Sequence, residues 1–327
     1  MAANTVEYRW ALVTAAATFV LLMAGGLVNP TGSSLACPEA FVICHGELFP
    51  EMKGGVLFEH GHRLIAMTVG LLQLGLTVLL WRRRPALRGL AALSLALVVA
   101  QALLGALTVY FKLPWFVSTA HLMVAMTYFG LTLLAVWRTR PERPAPVDRP
   151  GERDRLRGWI GFGGAAVLVQ IALGGLVRHH GAALASVDLP LHEGQLWPAG
   201  APFALQLHMA HRLAGVVVGL IAIGSSIAIL RAAGLDRVGV RRAALAVPFA
   251  VLAQVTLGIL VIATYRSVGI VVGHFGGAAL LWGLFCGMWL MTGSAGPAPR
   301  AERSRGETQE RRAGALIAGN GAIGGRG

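Results

Sequence analysis

Two histidine motifs in this chain are copies of each other. Glu59-His60-Gly61-His62-Arg63 is matched by His208-Met209-Ala210-His211-Arg212 at a spacing of 149 residues (59 to 208 and 62 to 211). Gln101, Gly105 and His121 recur as Gln254, Gly258 and His274 at a spacing of 153 (101 to 254 and 121 to 274). Each half therefore carries two histidines on two different apolar segments. Neutral imidazoles that face each other inside a helical bundle are suited to holding a haem iron. A lone intramembrane histidine reads as a hydrogen-bonded structural group, but four at matched depth and fixed offsets favour metal or haem ligation. No carboxylate cluster accompanies them, which argues against a di-iron site, and no Cys-x-x-Cys-His is present to attach a c-type haem.

Other polar residues gather around these four. Glu59 stands one turn before His62, and residues three apart share a helix face. Its carboxyl group would then lie beside the iron of the first half only, because His208 takes its place in the second. There it could relay a proton or stabilise positive charge at a porphyrin edge; the alternative is a first-turn acid that complements the helix dipole. Arg63 and Arg212 each follow a ligand candidate. They are candidates for haem propionate contacts, with an interhelical or backbone carbonyl partner as the alternative. His60 and His208 compete as alternative ligands, whereas His45, His179, His180 and His192 lie in or beside loops and are weaker candidates.

These residues sit in a membrane scaffold. The chain is 55% hydrophobic and only 13% charged, with a mean hydropathy of +0.65, which excludes an ordinary soluble globular protein. Apolar runs of roughly 20 residues, enough to cross about 30 Å of hydrocarbon, begin near Trp10, Glu59, Leu87, Trp115, Trp159, Phe203, Ala243 and Val268. They predict eight transmembrane helices arranged as two tandem, pseudo-symmetric four-helix bundles in an all-α polytopic membrane protein. The first run lacks a small-residue cleavage site and is read as a retained helix.

A net charge of +13 does not point to nucleic acid, because the arginines lie in particular loops and form no continuous basic face. Arg82, Arg83, Arg84 and Arg88 follow the second run, a second group from Arg138 to Arg157 follows the fourth, and Arg231, Arg237, Arg241 and Arg242 follow the sixth. The positive-inside rule makes these loops and both termini cytoplasmic. The four histidines then fall in roughly the first two turns of their helices, toward the outer face. Cys37 and Cys44 lie in the first outer loop, an oxidising compartment where a disulfide can form; the alternative is two free thiols. Cys286 reads as a small apolar helix residue.

The repeat runs beyond the histidines. Gly25-Gly26-Leu27-Val28 recurs as Gly174-Gly175-Leu176-Val177, and Glu47-Leu48-Phe49-Pro50 as Gln195-Leu196-Trp197-Pro198. An even number of spans in each half gives both copies the same orientation.

Taken together, the eight spans, the duplicated unit, Glu-x-x-His-Arg in helix 2, three further helix histidines and a Cys pair in a loop opening Gly32-Ser33-Ser34-Leu35-Ala36-Cys37-Pro38 resemble the haem A synthase family. The resemblance covers nearly all of the chain apart from its tail. It implies conversion of haem O to haem A by oxidation of a porphyrin methyl group to a formyl group, for the terminal oxidase. It also implies that His211 and His274 ligate haem b as a cofactor, that His62 and His121 flank the iron of the substrate haem, that Glu59 is catalytic, and that Cys37 and Cys44 form a disulfide. The lipid bilayer, a haem O synthase, the terminal oxidase assembly and an electron donor or acceptor are the expected partners, and the cell membrane the expected location. Residues 1–137 would form the substrate half, 138–157 a cytoplasmic Pro/Arg-rich linker, 158–292 the haem b half, and 293–327 a disordered cytoplasmic tail. A di-haem b-type electron carrier on the same fold is the competing expectation. A transporter fits less well, because no helix pair is clearly broken.

Overall fold

The computed structural model describes residues 5–39, 41–141, 150–232 and 238–293; the tail expected after 293 and the centre of the linker lie outside them. The described chain is built from eight long helices, α1 (Val6–Val28), α2 (Gly54–Arg83), α3 (Arg88–Tyr110), α4 (Trp115–Thr139), α5 (Pro150–His179), α6 (Phe203–Arg231), α7 (Val238–Ala263) and α8 (Val268–Thr292). All eight are long and apolar enough to cross a membrane. The protein is an all-α, multi-pass membrane protein. Its exposed surface carries residues such as Leu71, Val169, Leu220 and Phe249, which suits hydrocarbon as solvent, while each helix satisfies its backbone internally.

Three helices, α4, α6 and α8, start where their apolar runs start, and α4 and α6 do so directly after Pro114 and Pro202. Others begin earlier than hydropathy predicts, because an apolar span that is already helical propagates cheaply into a polar flank. α1 gains a turn from Thr5, whose side chain accepts the N–H of Tyr8 at 3.4 Å. α5 begins inside the stretch read as linker: Pro150 stands at its first position, where a missing N–H costs nothing, and Glu152 complements the dipole. The helical part of α4 likewise runs to Thr139, so the segment without described helix is shorter than 138–157.

The packing closes α1 to α4 on themselves through α1–α2, α2–α3, α3–α4 and α1–α4 contacts, and α5 to α8 through the corresponding pairs. The two groups meet along α1–α8, α4–α5 and α4–α8. Small residues permit this approach: a Cβ on Gly26 would stand 2.8 Å from the Phe275 ring and one on Gly175 2.8 Å from Leu122. Leu22, Met126 and Phe129 share one core with Ile160, Val167, Phe285 and Met288. Some buried hydroxyls are paired across helices. Thr77 donates to the Ala91 carbonyl at 3.3 Å, and Ser226 to the Ala244 carbonyl at 2.6 Å. The connections 29–53, 111–114, 180–202 and 264–267 all lie at one end of the molecule, hereafter the loop end.

Candidate functional site

His62, His121, His211 and His274 lie in the second or third turn of α2, α4, α6 and α8, counted from the loop end. Each imidazole rests on a glycine of the preceding helix. A Cβ would stand 2.9 Å from His62 Cε1 if built on Gly25, 3.4 Å from His121 Cε1 on Gly105, 3.1 Å from His211 Cε1 on Gly174, and 3.4 Å from His274 Cε1 on Gly258. Four rings therefore pack against four backbones, and at Gly25 and Gly174 an added Cβ would crowd them. His62 lies within electrostatic reach of His121, and His211 of His274.

The ring nitrogens are poorly paired for a closed protein interior. Nδ1 of His62, His121 and His274 is buried without a hydrogen-bond partner, whereas His211 Nδ1 meets the Gln170 amide at 3.1 Å. Leaving such groups unpaired costs about 1–3 kcal/mol each. A bound iron takes one nitrogen of each ring, and two neutral imidazoles in each half form a donor set suited to haem. The residues fit the group the sequence predicts. Gln101 supports the first pair through the His121 carbonyl, to which its Nε2 donates at 2.8 Å.

Glu59 is buried at 4% exposure and has both oxygens engaged. Oε2 accepts the backbone N–H of Cys37 at 2.9 Å, and Oε1 accepts from Arg63 Nη2 at 2.6 Å. Arg63 also donates to the carbonyls of Cys37, Glu39, Phe41 and Ile43 at 2.7 to 3.2 Å. Phe41 and His45 adopt left-handed backbone conformations (φ 67° and 54°), so the loop coils back on the guanidinium. Cys37 and Cys44 are joined in a disulfide above it.

The second half repeats this clamp with different chemistry. Arg212 donates to the carbonyls of Ser186 and Asp188, both at 2.7 Å. His208 replaces the carboxylate, with Ser186 N 3.3 Å from Nδ1 and Arg212 Nε 3.3 Å from Nε2. A neutral imidazole has one acceptor nitrogen, so only one of these contacts is a hydrogen bond at a time. In place of the disulfide, His192 Nδ1 meets Ser186 Oγ at 3.1 Å.

Arg63 and Arg212 meet loop backbone carbonyls, Arg63 together with Glu59 and Arg212 together with His208. Their donors are spent on loops because each arginine lies one position round the helix from its histidine and turns toward the loop end. His60 Nε2 contacts the Leu48 carbonyl at 3.1 Å, with the ring beside the disulfide and Nδ1 buried without a partner. His45 binds the Ala36 carbonyl, and His180 packs between Trp115 and Phe203. Sequence reasoning missed Gln170, as well as Arg178 and Arg266 at the loop end. Their signal was their lack of a counterpart: the matching first-half positions are Leu21, Asn29 and Leu113.

The chain is similar in sequence to several heme A synthases. A heme A synthase of Shouchella clausii is 28% identical over 290 residues, covering 86% of this chain and 96% of the relative. One from Geobacillus kaustophilus is 28% identical over 312 residues, covering 91% and 96%, and one from Symbiobacterium thermophilum is 30% identical over 218 residues, covering 61% and 70%. The COX15-CtaA family model, described as cytochrome oxidase assembly protein, matches residues 8–286, a span that takes in all four histidines, Glu59 and the disulfide, and the chain belongs to that family.

Proposed function

We propose that this protein is a haem A synthase, which oxidises a methyl substituent of haem O to the formyl group of haem A. The observation that carries the reading is the quartet of glycine-cradled histidines, two in each half at matched depth, on a chain similar to heme A synthases over nearly their full length.

His211 and His274 hold a resident b-type haem, and His62 and His121 flank the iron of the substrate haem O. A b-type haem supplies one-electron redox chemistry when bound. The protein's own residues divide the remaining work. Glu59 stands one turn from His62, in the half that handles substrate; its carboxylate can hold or pass a proton and stabilise positive charge at the porphyrin edge. His208 at the matching position lacks that fixed negative charge, which supports assigning exchange and chemistry to the first half and residence to the second. The glycines leave room for the imidazoles, and the disulfide-bonded loop shapes access from above.

The two halves act as pseudo-symmetric bundles, residues 1–137 and 158–292, on either side of a cytoplasmic linker. Arginine placement supports cytoplasmic termini and a loop end that faces outside. Haem O is too apolar for water and enters laterally from the bilayer. A haem O synthase upstream, the terminal oxidase assembly downstream and an electron partner complete its surroundings.

The test is extraction and chromatography of haems from the purified protein, expressed with and without a haem O supply. Haem b under both conditions, with haem A appearing only when haem O is supplied, is expected. Haem b alone under both conditions would overturn the enzymatic reading and leave an electron carrier.

A further inference from the structure

Arg178 lies in the last turn of α5, and Arg266 in the loop before α8. Both reach the end of α1: Arg178 Nη2 donates to the Gly26 carbonyl and Arg266 Nη2 to Asn29 Oδ1, each at 3.4 Å. These are long contacts for guanidinium donors. Arg178 Nε is buried with no partner, and Arg178 feels the charge of Arg266. Among the described residues neither arginine meets a carboxylate. Two neighbouring cations at the edge of an apolar bundle, with donors unspent, are costly unless an anion lies between them.

Their position indicates which anion. Arg178 is four residues beyond Gly174, one turn outward on the same face of α5, and Gly174 is the glycine on which His211 rests. Arg266 follows α7, whose Gly258 cradles His274. Both residues thus follow, toward the loop end, the glycines that cradle the second-half histidines, and their guanidiniums meet at the end of α1. The matching first-half residues are Asn29 and Leu113, so this half alone has the cationic pair. Arg63 and Arg212 are already committed to loop carbonyls.

We propose that Arg178 and Arg266 form a carboxylate-binding site that takes the propionates of the haem ligated by His211 and His274. This rests on the resident-haem reading above and deepens it. A haem in the second half is tethered at its edge as well as its iron. A porphyrin in the first half lacks that tether and exchanges.

The experiment follows haem release from the purified holoprotein to excess apomyoglobin, and exchange of the resident haem against haem b or its dimethyl ester. In the wild type the free acid should exchange in about tenfold or more better than the ester, the scale of one charge-assisted hydrogen bond. Arg178→Gln and Arg266→Gln should each release haem about tenfold faster and lose preference for the free acid, with Arg178→Lys partly restoring both. Equal exchange of acid and ester in the wild type would overturn the proposal and leave the pair to a lipid phosphate, and wild-type release from both Gln variants would overturn it too. The ester comparison on the wild type stands even if a variant fails to fold. Full retention of b-type haem in His211→Ala and His274→Ala would instead sink the resident-haem reading, so the two failures are distinguishable.

Discussion

The Glu59 carboxylate accepts the backbone N–H of Cys37 at 2.9 Å, tying a residue one turn from a haem-ligand candidate to the disulfide-bonded loop above it. The same carboxylate is paired with Arg63, whose other donors hold four loop carbonyls. A change at Glu59 therefore acts on loop position and on charge beside His62 together.

Separating these effects requires two substitutions. Glu59→Gln keeps an acceptor for Cys37 but loses the charge. It should fold with its disulfide and b-type haem intact, accumulate unconverted haem O and yield little haem A. Glu59→Ala also frees the loop, at about 1–3 kcal/mol for each donor left unpaired, and should make the Cys37–Cys44 bridge reducible by mild dithiol. Haem chromatography and thiol labelling report the two outcomes. Wild-type haem A yield from Glu59→Gln would remove the carboxylate from the chemistry.

Ligand roles divide between the halves in a second prediction. His211→Ala or His274→Ala should abolish low-spin b-type absorption in protein that still inserts. His62→Ala or His121→Ala should abolish haem A formation and leave that absorption largely in place. Loss of b-type haem from the His62 and His121 variants, with retention in the other two, would reverse the assignment.

The glycine cradles give a subtler version of the same test. An added Cβ at Gly25 would meet His62 Cε1 at 2.9 Å, so the ring must shift. Overpacking of this kind costs about 1–3 kcal/mol. Gly25→Ala should lower haem A yield at unchanged b-type haem, whereas Gly174→Ala, 3.1 Å from His211 Cε1, should broaden the low-spin b-type signal first. Electron paramagnetic resonance of the two variants distinguishes the halves, and identical spectra with wild-type yield would contradict ligation by these rings.

The spans and the four histidines were legible because hydropathy and a fixed offset are properties of sequence alone. Gly25, Gly105, Gly174 and Gly258 were also visible as part of the repeat, but their purpose emerged only when each was seen beneath an imidazole. The fate of Arg63 was hidden for a different reason. Its partners are backbone carbonyls of a loop that turns through left-handed residues at Phe41 and His45, and no side-chain pattern encodes that path. Arg178 and Arg266 were overlooked because they lie at a helix end and in a short loop, away from the histidine motifs. Their significance comes from unspent donors, which only packing reveals.

The Cys37–Cys44 bridge should matter for access more than for stability. Its second-half counterpart manages with the Ser186 to His192 contact, and the first loop is held in addition by Glu59 and Arg63. Removing the bridge by Cys37→Ser with Cys44→Ser should cost about 2 kcal/mol, the low end for so short a closed loop. The protein should insert normally with full b-type haem, while haem O conversion falls. A complete loss of inserted protein would show that the bridge carries the fold.

Gln170 acts on one ligand only. Its Nε2 lies 3.1 Å from His211 Nδ1 and donates to the His211 carbonyl at 2.9 Å, while Oε1 is buried without a partner. Gly215 makes room for it, since a Cβ there would stand 3.1 Å from the amide; the first half has Leu21 and Ala66 at the matching positions. Gln170 Nε2 is held there by the carbonyl, so the amide positions the His211 backbone and stands against the ring at Nδ1. Partners of this kind are typically worth 10- to 100-fold in metal affinity (roughly). Gln170→Leu should therefore bind the b-type haem more weakly, because the ligand loses the contact that positions it. Gln170→Glu should draw the Nδ1 proton more strongly and lower the potential. A redox titration of the resident haem should place the glutamate variant below the wild type. The same potential in both proteins, with wild-type haem binding by Gln170→Leu, would show that the amide neither orients nor tunes His211.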